Sequence, residues 1–188
     1  MNRREALTAT AAFMGSAIIG SQVFLSGCSR TEPKVEGFSE DVLALLDEIG
    51  ETIIPATASS PGAKAGKIGE FMKVIVTDCY SPAEQKTFFD GISIIKQTVT
   101  NKYNTQFLKL TNAQKIETML FFDQEAQKSN NEKNEEVQTH FFTMLNQLTV
   151  WGFFSSEVGA TQALRYVPIP GRYEGCMPYK EGDGAWVY

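Results

Sequence analysis

The chain has 188 residues, with 17 basic and 22 acidic side chains, a single histidine and a net charge of −5. That length suits one domain with a sizeable core, and a net acidic chain lacks the electrostatic footprint that nucleic-acid binding needs. Thirteen Phe residues, many of them within periodic apolar runs, describe a packed globular body rather than a disordered one.

The N-terminus reads as an export signal. Arg3 and Arg4 make a short positive region, and an apolar stretch follows from Ala6 to Leu25, broken by Thr8, Thr10, Ser16, Ser21 and Gln22. It ends in Leu25-Ser26-Gly27-Cys28. Small residues let a signal peptidase bind the extended backbone, and a Cys in first mature position offers a thiol for diacylglycerol transfer. The four residues resemble a lipobox, so Cys28 is expected to be lipidated. The alternative is a plain membrane anchor with a chance Cys, but the polar residues make the stretch marginal for roughly 30 Å of hydrocarbon. Lipidation attaches the mature chain to a membrane surface without a transmembrane helix. Asn2-Arg3-Arg4-Glu5-Ala6-Leu7 also resembles a twin-arginine leader, which exports folded cargo. Ala6 stands where a larger apolar residue is usual, and the alternative is an ordinary positive region. The expected product is an envelope lipoprotein facing the periplasm, with residues 28–38 as a tether and 39–188 as the domain. Removing residues 1–27 takes away two Arg and one Glu, leaving a net charge of −6.

Five helices are predicted. Ser39 is the N-cap of the first, whose stripe is Val42, Leu43, Leu45, Leu46, Ile49, Ile53 and Ile54; Pro55 disfavours its continuation. Residues 56–63 form a loop by composition. The second helix fits residues 64–79, with Ile68, Phe71, Met72, Ile75 and Val76 inward. Ser81-Pro82-Ala83-Glu84 combines an N-cap, a proline at the first helical position and a Glu placed to bond back, and starts a helix carrying Phe88, Phe89, Ile92, Ile95 and Val99. Thr111-Asn112-Ala113-Gln114 opens the fourth, with Ile116, Met119, Leu120 and Phe122 inward. After the polar residues 127–136, a fifth runs from about Glu136 to Phe153 through Val137, Phe141, Met144, Leu145, Leu148 and Trp151. With no sustained alternation and no long repeat, the fold class is an all-α bundle with an irregular tail from Val167 to Tyr188.

Signatures of catalysis are missing from the sequence: there is no GxGxxG after a strand, no P-loop, no CxxC and no CxxCH. A Ser triad would have to use His140, which lies beside Phe141 and Phe142, and Ser155 and Ser156 lack the elbow context of a nucleophile. Glu135-Glu136 reads as a solvated pair. The expectation is no catalytic site, no metal site and no cofactor in this chain. Cys79 and Cys176 remain in a compartment where disulfides persist, and a bridge tethering the tail is expected. A reactive thiol at Cys79 is the alternative, which Asp78 disfavours by opposing a thiolate. The segment from Trp151 to Tyr188 is dense in residues that populate interface hot spots. On composition, its rings either cover the bundle end or meet a partner.

Glu51-Thr52-Ile53-Ile54-Pro55-Ala56-Thr57, Pro61-Gly62-Ala63-Lys64-Ala65, Asp78-Cys79-Tyr80, Ser156-Glu157-Val158-Gly159-Ala160-Thr161 and Gly171-Arg172-Tyr173-Glu174-Gly175-Cys176 together resemble the gluconate 2-dehydrogenase subunit 3 family. These are small subunits of membrane-associated flavin-dependent sugar and sugar-acid dehydrogenases. The resemblance implies a large FAD-binding partner of the glucose-methanol-choline type that performs the oxidation, a cytochrome c as a further partner, and a role for this chain in export and maturation. The lipobox is a departure from the family pattern and implies that this chain supplies a membrane anchor. Trp151, Glu157, Arg165, Tyr166, Arg172, Tyr173 and Trp186 are the expected partner-binding residues. A free-standing envelope lipoprotein that binds a ligand or envelope component is the alternative, and an enzyme with an unrecognised site is a third reading.

Overall fold

Ser39 begins the helical body: its hydroxyl accepts from the Val42 N–H at 3.4 Å, and Glu40 and Asp41 place negative charge in the first turn, where the helix dipole favours it. In the computed structural model, residues 2, 4, 37–131, 139–169, 171, 175–178 and 180–187 are described. The chain divides into two compact units, Met1–Val35 and Glu36–Tyr188. In the first only Asn2 and Arg4 are described, so the lipobox, Cys28 and the tether up to residue 36 lie outside the described residues. None of the described helices is long and apolar enough to cross a membrane.

Helix α1 spans Glu40–Ile53, α2 Ile68–Asp78, α3 Pro82–Tyr103, α4 Asn112–Asn131 and α5 Phe141–Ser155. The capping box at Ser81 forms as expected. Its hydroxyl accepts from the Glu84 N–H at 3.4 Å, and the Ser81 N–H donates to Glu84 Oε2 at 2.8 Å. Thr111 and Gln114 repeat the exchange at the start of α4. Helix α3 closes at Asn104, which adopts the left-handed conformation that Asn tolerates.

The helices bury Leu46, Ile49, Ile68, Met72, Val76, Phe88, Ile95, Val99, Phe122, Leu145, Leu148 and Phe153 almost completely. Each such large side chain contributes about 1.5–3 kcal/mol through the water it leaves. Helix α5 touches all four other helices. At its first turn Phe141 and Phe142 pack on Phe122 of α4, with ring centroids 5.5 and 6.3 Å apart.

The structure corrects four expectations. Residues 64–79 do not form one helix: Ala63–Gly66 is a 3-10 turn, and Lys67, at φ 52°, turns left-handed before α2 begins. Helix α5 starts at Phe141, capped by His140, whose Nδ1 accepts from the Phe142 N–H at 3.2 Å. The expected start at Glu136, with Glu135 and Val137, lies outside the described residues. In α4, Ile116 and Leu120 are 50% and 55% exposed, and the inward positions are Lys115, Thr118, Met119, Phe122 and Ala126. Finally, the bridge between Cys79 and Cys176 is absent: both are free and exposed. Backbone pairing clasps the tail instead. Strand β1 (Arg165–Tyr166) runs parallel to β2 (Trp186–Val187), with the Arg165 N–H donating to the Ala185 carbonyl at 2.8 Å and the Val167 N–H to the Val187 carbonyl at 2.9 Å.

Candidate docking surface

Helix α5 reads Phe-Phe-Thr-Met-Leu-Asn-Gln-Leu-Thr-Val-Trp-Gly-Phe-Phe-Ser and contains no charged residue. Its inner side is core, yet Val150, Trp151 and Phe154 lie exposed on the other. Trp151 is 55% exposed and stands edge-on to Phe71 of α2, with centroids 5.3 Å apart and planes at 85°. Gly152 makes that approach possible, since a Cβ there would sit 2.6 Å from Phe71 Cδ1. One turn further along α2, Val74 is also exposed. The same side of α5 also carries exposed Gln147, so it is uncharged rather than wholly apolar; apolar side chains gathered on a surface mark a contact site.

The turn after α5 sets the direction of the tail. Ser156 caps the helix end: its hydroxyl donates to the Phe153 carbonyl at 2.7 Å and accepts from the Gly159 N–H at 3.0 Å. Gly159–Ala163 then forms a π-turn. Gly159 is pressed so closely on the helix that a Cβ would lie 1.9 Å from the Phe153 carbonyl oxygen. Glu157 is exposed at this turn. Beyond it, Arg165 lies over the Trp186 ring at 4.6 Å and its guanidinium faces Asp183 Oδ1 at 3.5 Å. Arg165 is therefore engaged within its own chain, and its exposed ion pair adds little stability. Tyr166 and Trp186 remain about half exposed. Of the expected partner-binding residues, Arg165, Tyr166 and Trp186 come together on the strand pair, while Trp151 belongs with Phe71 and Phe154 on the bundle. Arg172 and Tyr173 lie outside the described residues.

A polar cluster that the sequence reading missed ties α1 to α4 and to the 3-10 turn Ala63–Gly66. Lys115 of α4 is only 7% exposed, and its ammonium donates to Glu48 Oε1 of α1 at 2.7 Å. Lys64 donates to the second oxygen at 2.9 Å. The hydrogen bond from Lys115, then that from Lys64, holds the Glu48 carboxyl below its ordinary value, and the same bond from the other side raises Lys64. Glu51, one turn along α1, accepts from the Ala56 N–H at 3.0 Å and the Lys64 N–H at 3.1 Å, closing the loop between them. The available signal was helical phase: Lys115 shares a face with Met119 and Phe122, and Glu48 lies three residues from Leu45 and Glu51. The stretches around Glu51 and Pro61-Gly62-Ala63-Lys64, which carried part of the resemblance, thus form one anchored corner.

No curated protein and no solved structure matches the chain. A family model described as gluconate 2-dehydrogenase subunit 3 matches residues 40–171, from the start of α1 through the π-turn and β1. The matched stretch contains the α5 face, the Ser156–Gly159 turn and the Glu48 corner, and the chain belongs to the gluconate 2-dehydrogenase subunit 3 family.

Proposed function

We propose that this chain is the non-catalytic accessory subunit of a membrane-associated, FAD-dependent sugar or sugar-acid dehydrogenase, and that it supports the export, maturation and membrane attachment of its flavoprotein. The observation that carries the reading is the uncharged helix α5, which leaves Val150, Trp151 and Phe154 exposed. In a subunit of a larger complex such a face is covered by the partner. The flavoprotein supplies FAD and the oxidation. This chain supplies the docking face, a twin-arginine leader for folded export and a lipid on Cys28 that holds the pair at the membrane on the periplasmic side. Electrons leave through a cytochrome c.

The test is co-purification of the native flavoprotein with the full chain. Trp151→Ala is expected to weaken capture by about 2 kcal/mol or more, as truncation of a central aromatic does, with little change in melting temperature because the ring is half exposed. Trp186→Ala probes the tail in the same way. If both variants melt lower yet still capture the flavoprotein, the rings only cover the bundle and the reading fails. Membrane attachment has its own test: Cys28→Ala is expected to shift the protein to the soluble fraction or leave its precursor uncleaved. Normal processing with full membrane retention would exclude the lipid anchor.

A further inference from the structure

A cleft of about 330 Å³ opens where α1, the C-terminal half of α3 and the 3-10 turn Phe107–Lys109 converge. The turn creates it. Phe107, 3% exposed, is wedged beside both helices, and the cleft lies between them above it. Leu45 and Phe107 form an apolar floor, and half-exposed Leu108 makes one wall.

Two opposite charges line this space, Asp41 from the first turn of α1 and Lys96 from α3. They do not pair with each other, and among the described residues neither side chain has another ion-pair partner. Thr100, one turn beyond Lys96, gives its proton to the Lys96 carbonyl at 2.9 Å, so its oxygen is left to accept. Gln106 adds an amide that donates and accepts. The cleft therefore offers an ammonium for an anionic group, acceptors for hydrogen-bond donors, and an apolar floor for a hydrocarbon face. Its volume is at the small end for ligand sites, and an apolar lining with a few convergent polar groups is the usual form of one.

We infer that the cleft between α1 and α3 binds a small carboxylate that also carries hydrogen-bond donors, with Lys96 taking the carboxylate, Asp41 the donors, and Leu45 and Phe107 the carbon skeleton. A hydroxy acid and an α-amino acid share this chemistry. The site does not depend on a flavoprotein partner and stands or falls separately from it.

Calorimetric titration of the purified full chain tests the assignment. Gluconate serves as the hydroxy acid, leucine as the amino acid, and sorbitol as a polyol without the carboxylate. Binding of gluconate or of leucine is expected, and whichever binds identifies the source. Lys96→Met and Asp41→Asn should each weaken it about tenfold or more, the loss expected for one charge-assisted hydrogen bond. Both side chains are exposed, so the variants should fold, and an unchanged melting temperature checks this. The inference is overturned if neither acid binds at 10 mM (roughly the weakest affinity of interest). It is equally overturned if sorbitol binds as tightly as gluconate, or if both variants keep wild-type affinity.

Discussion

Replacing Glu48 by Ala is expected to cost about 3 kcal/mol of folding stability, the lower end of what stranding a buried charge costs. The Lys115 ammonium would lose its acceptor at 2.7 Å while remaining at a position only 7% exposed. Lys115→Met removes the buried charge and keeps an apolar stem of similar length, and Glu48 still has Lys64 at 2.9 Å. Its cost should be about 1 kcal/mol. Urea denaturation of the two variants separates the cases, and equal losses would contradict a buried pair in which the lysine is the stranded partner. The pH dependence has a definite sign. A carboxyl whose folded value is depressed stabilises the fold above its unfolded value, and that contribution disappears as pH falls through the folded one. Because hydrogen bonds from Lys115 and Lys64 lower Glu48 from 4.5, the gap between wild type and Glu48→Ala should be full at neutral pH and close as pH falls below that value.

Gly159→Ala is expected to destabilise the domain by about 2–3 kcal/mol, the upper part of the range for forcing atoms into a packed site. The added methyl would meet the backbone carbonyl of Phe153 at 1.9 Å, not the movable end of a side chain. The π-turn must open, and with it the hydrogen bond from the Gly159 N–H to Ser156. Strand β1 follows two residues after that turn, so the clasp with β2 should loosen too. Faster amide exchange at Arg165 and Val167, which donate to the clasp, would report this locally alongside the global loss. A variant as stable as wild type, with protected amides at both positions, would mean that the turn is not held by close approach. Ser156→Ala is the milder companion, removing one cap and leaving space intact.

The helical architecture was legible because caps and apolar periodicity act locally. Ser39, Ser81 and Thr111 each begin a helix by bonding to backbone within three residues, a relation visible in any short window. The phase of α4 was not legible in the same way. Ile116 and Leu120 are apolar at helical spacing, as are Met119 and Phe122, so the sequence contains two candidate inner faces. The choice between them depends on Glu48, 67 residues upstream of Lys115. A lysine on the inner face becomes acceptable only when that carboxylate is supplied by another helix. The break at Lys67 was hidden because no proline or glycine stands at the residue that turns left-handed. The tail misled for a different reason. Two cysteines in a domain expected to be exported invite a bridge, but Val167 and Arg165 hold the returning chain with two backbone hydrogen bonds, which leave no mark in residue type. At the candidate docking surface, the segment from Trp151 that the sequence singled out includes Phe154, while Phe71, Val74 and Val150 lie outside it. The absence of any charge from α5 was the signal for Val150, while Phe71 and Val74 sit on α2, which is charged.

The uncharged helix α5 has a consequence for how much of this protein a cell can hold. A surface carrying Val150, Trp151 and Phe154 has no repulsive charge of its own with which to keep two copies apart, and exposed patches of this kind favour self-association. Only the rest of the chain, with its acidic excess, opposes that tendency. If the proposed flavoprotein covers this face, solubility becomes a shared property: each molecule is protected by its partner, and surplus copies are the vulnerable ones. Synthesis of the two in matched amounts, followed by prompt assembly, would then be the condition under which such a helix is maintained.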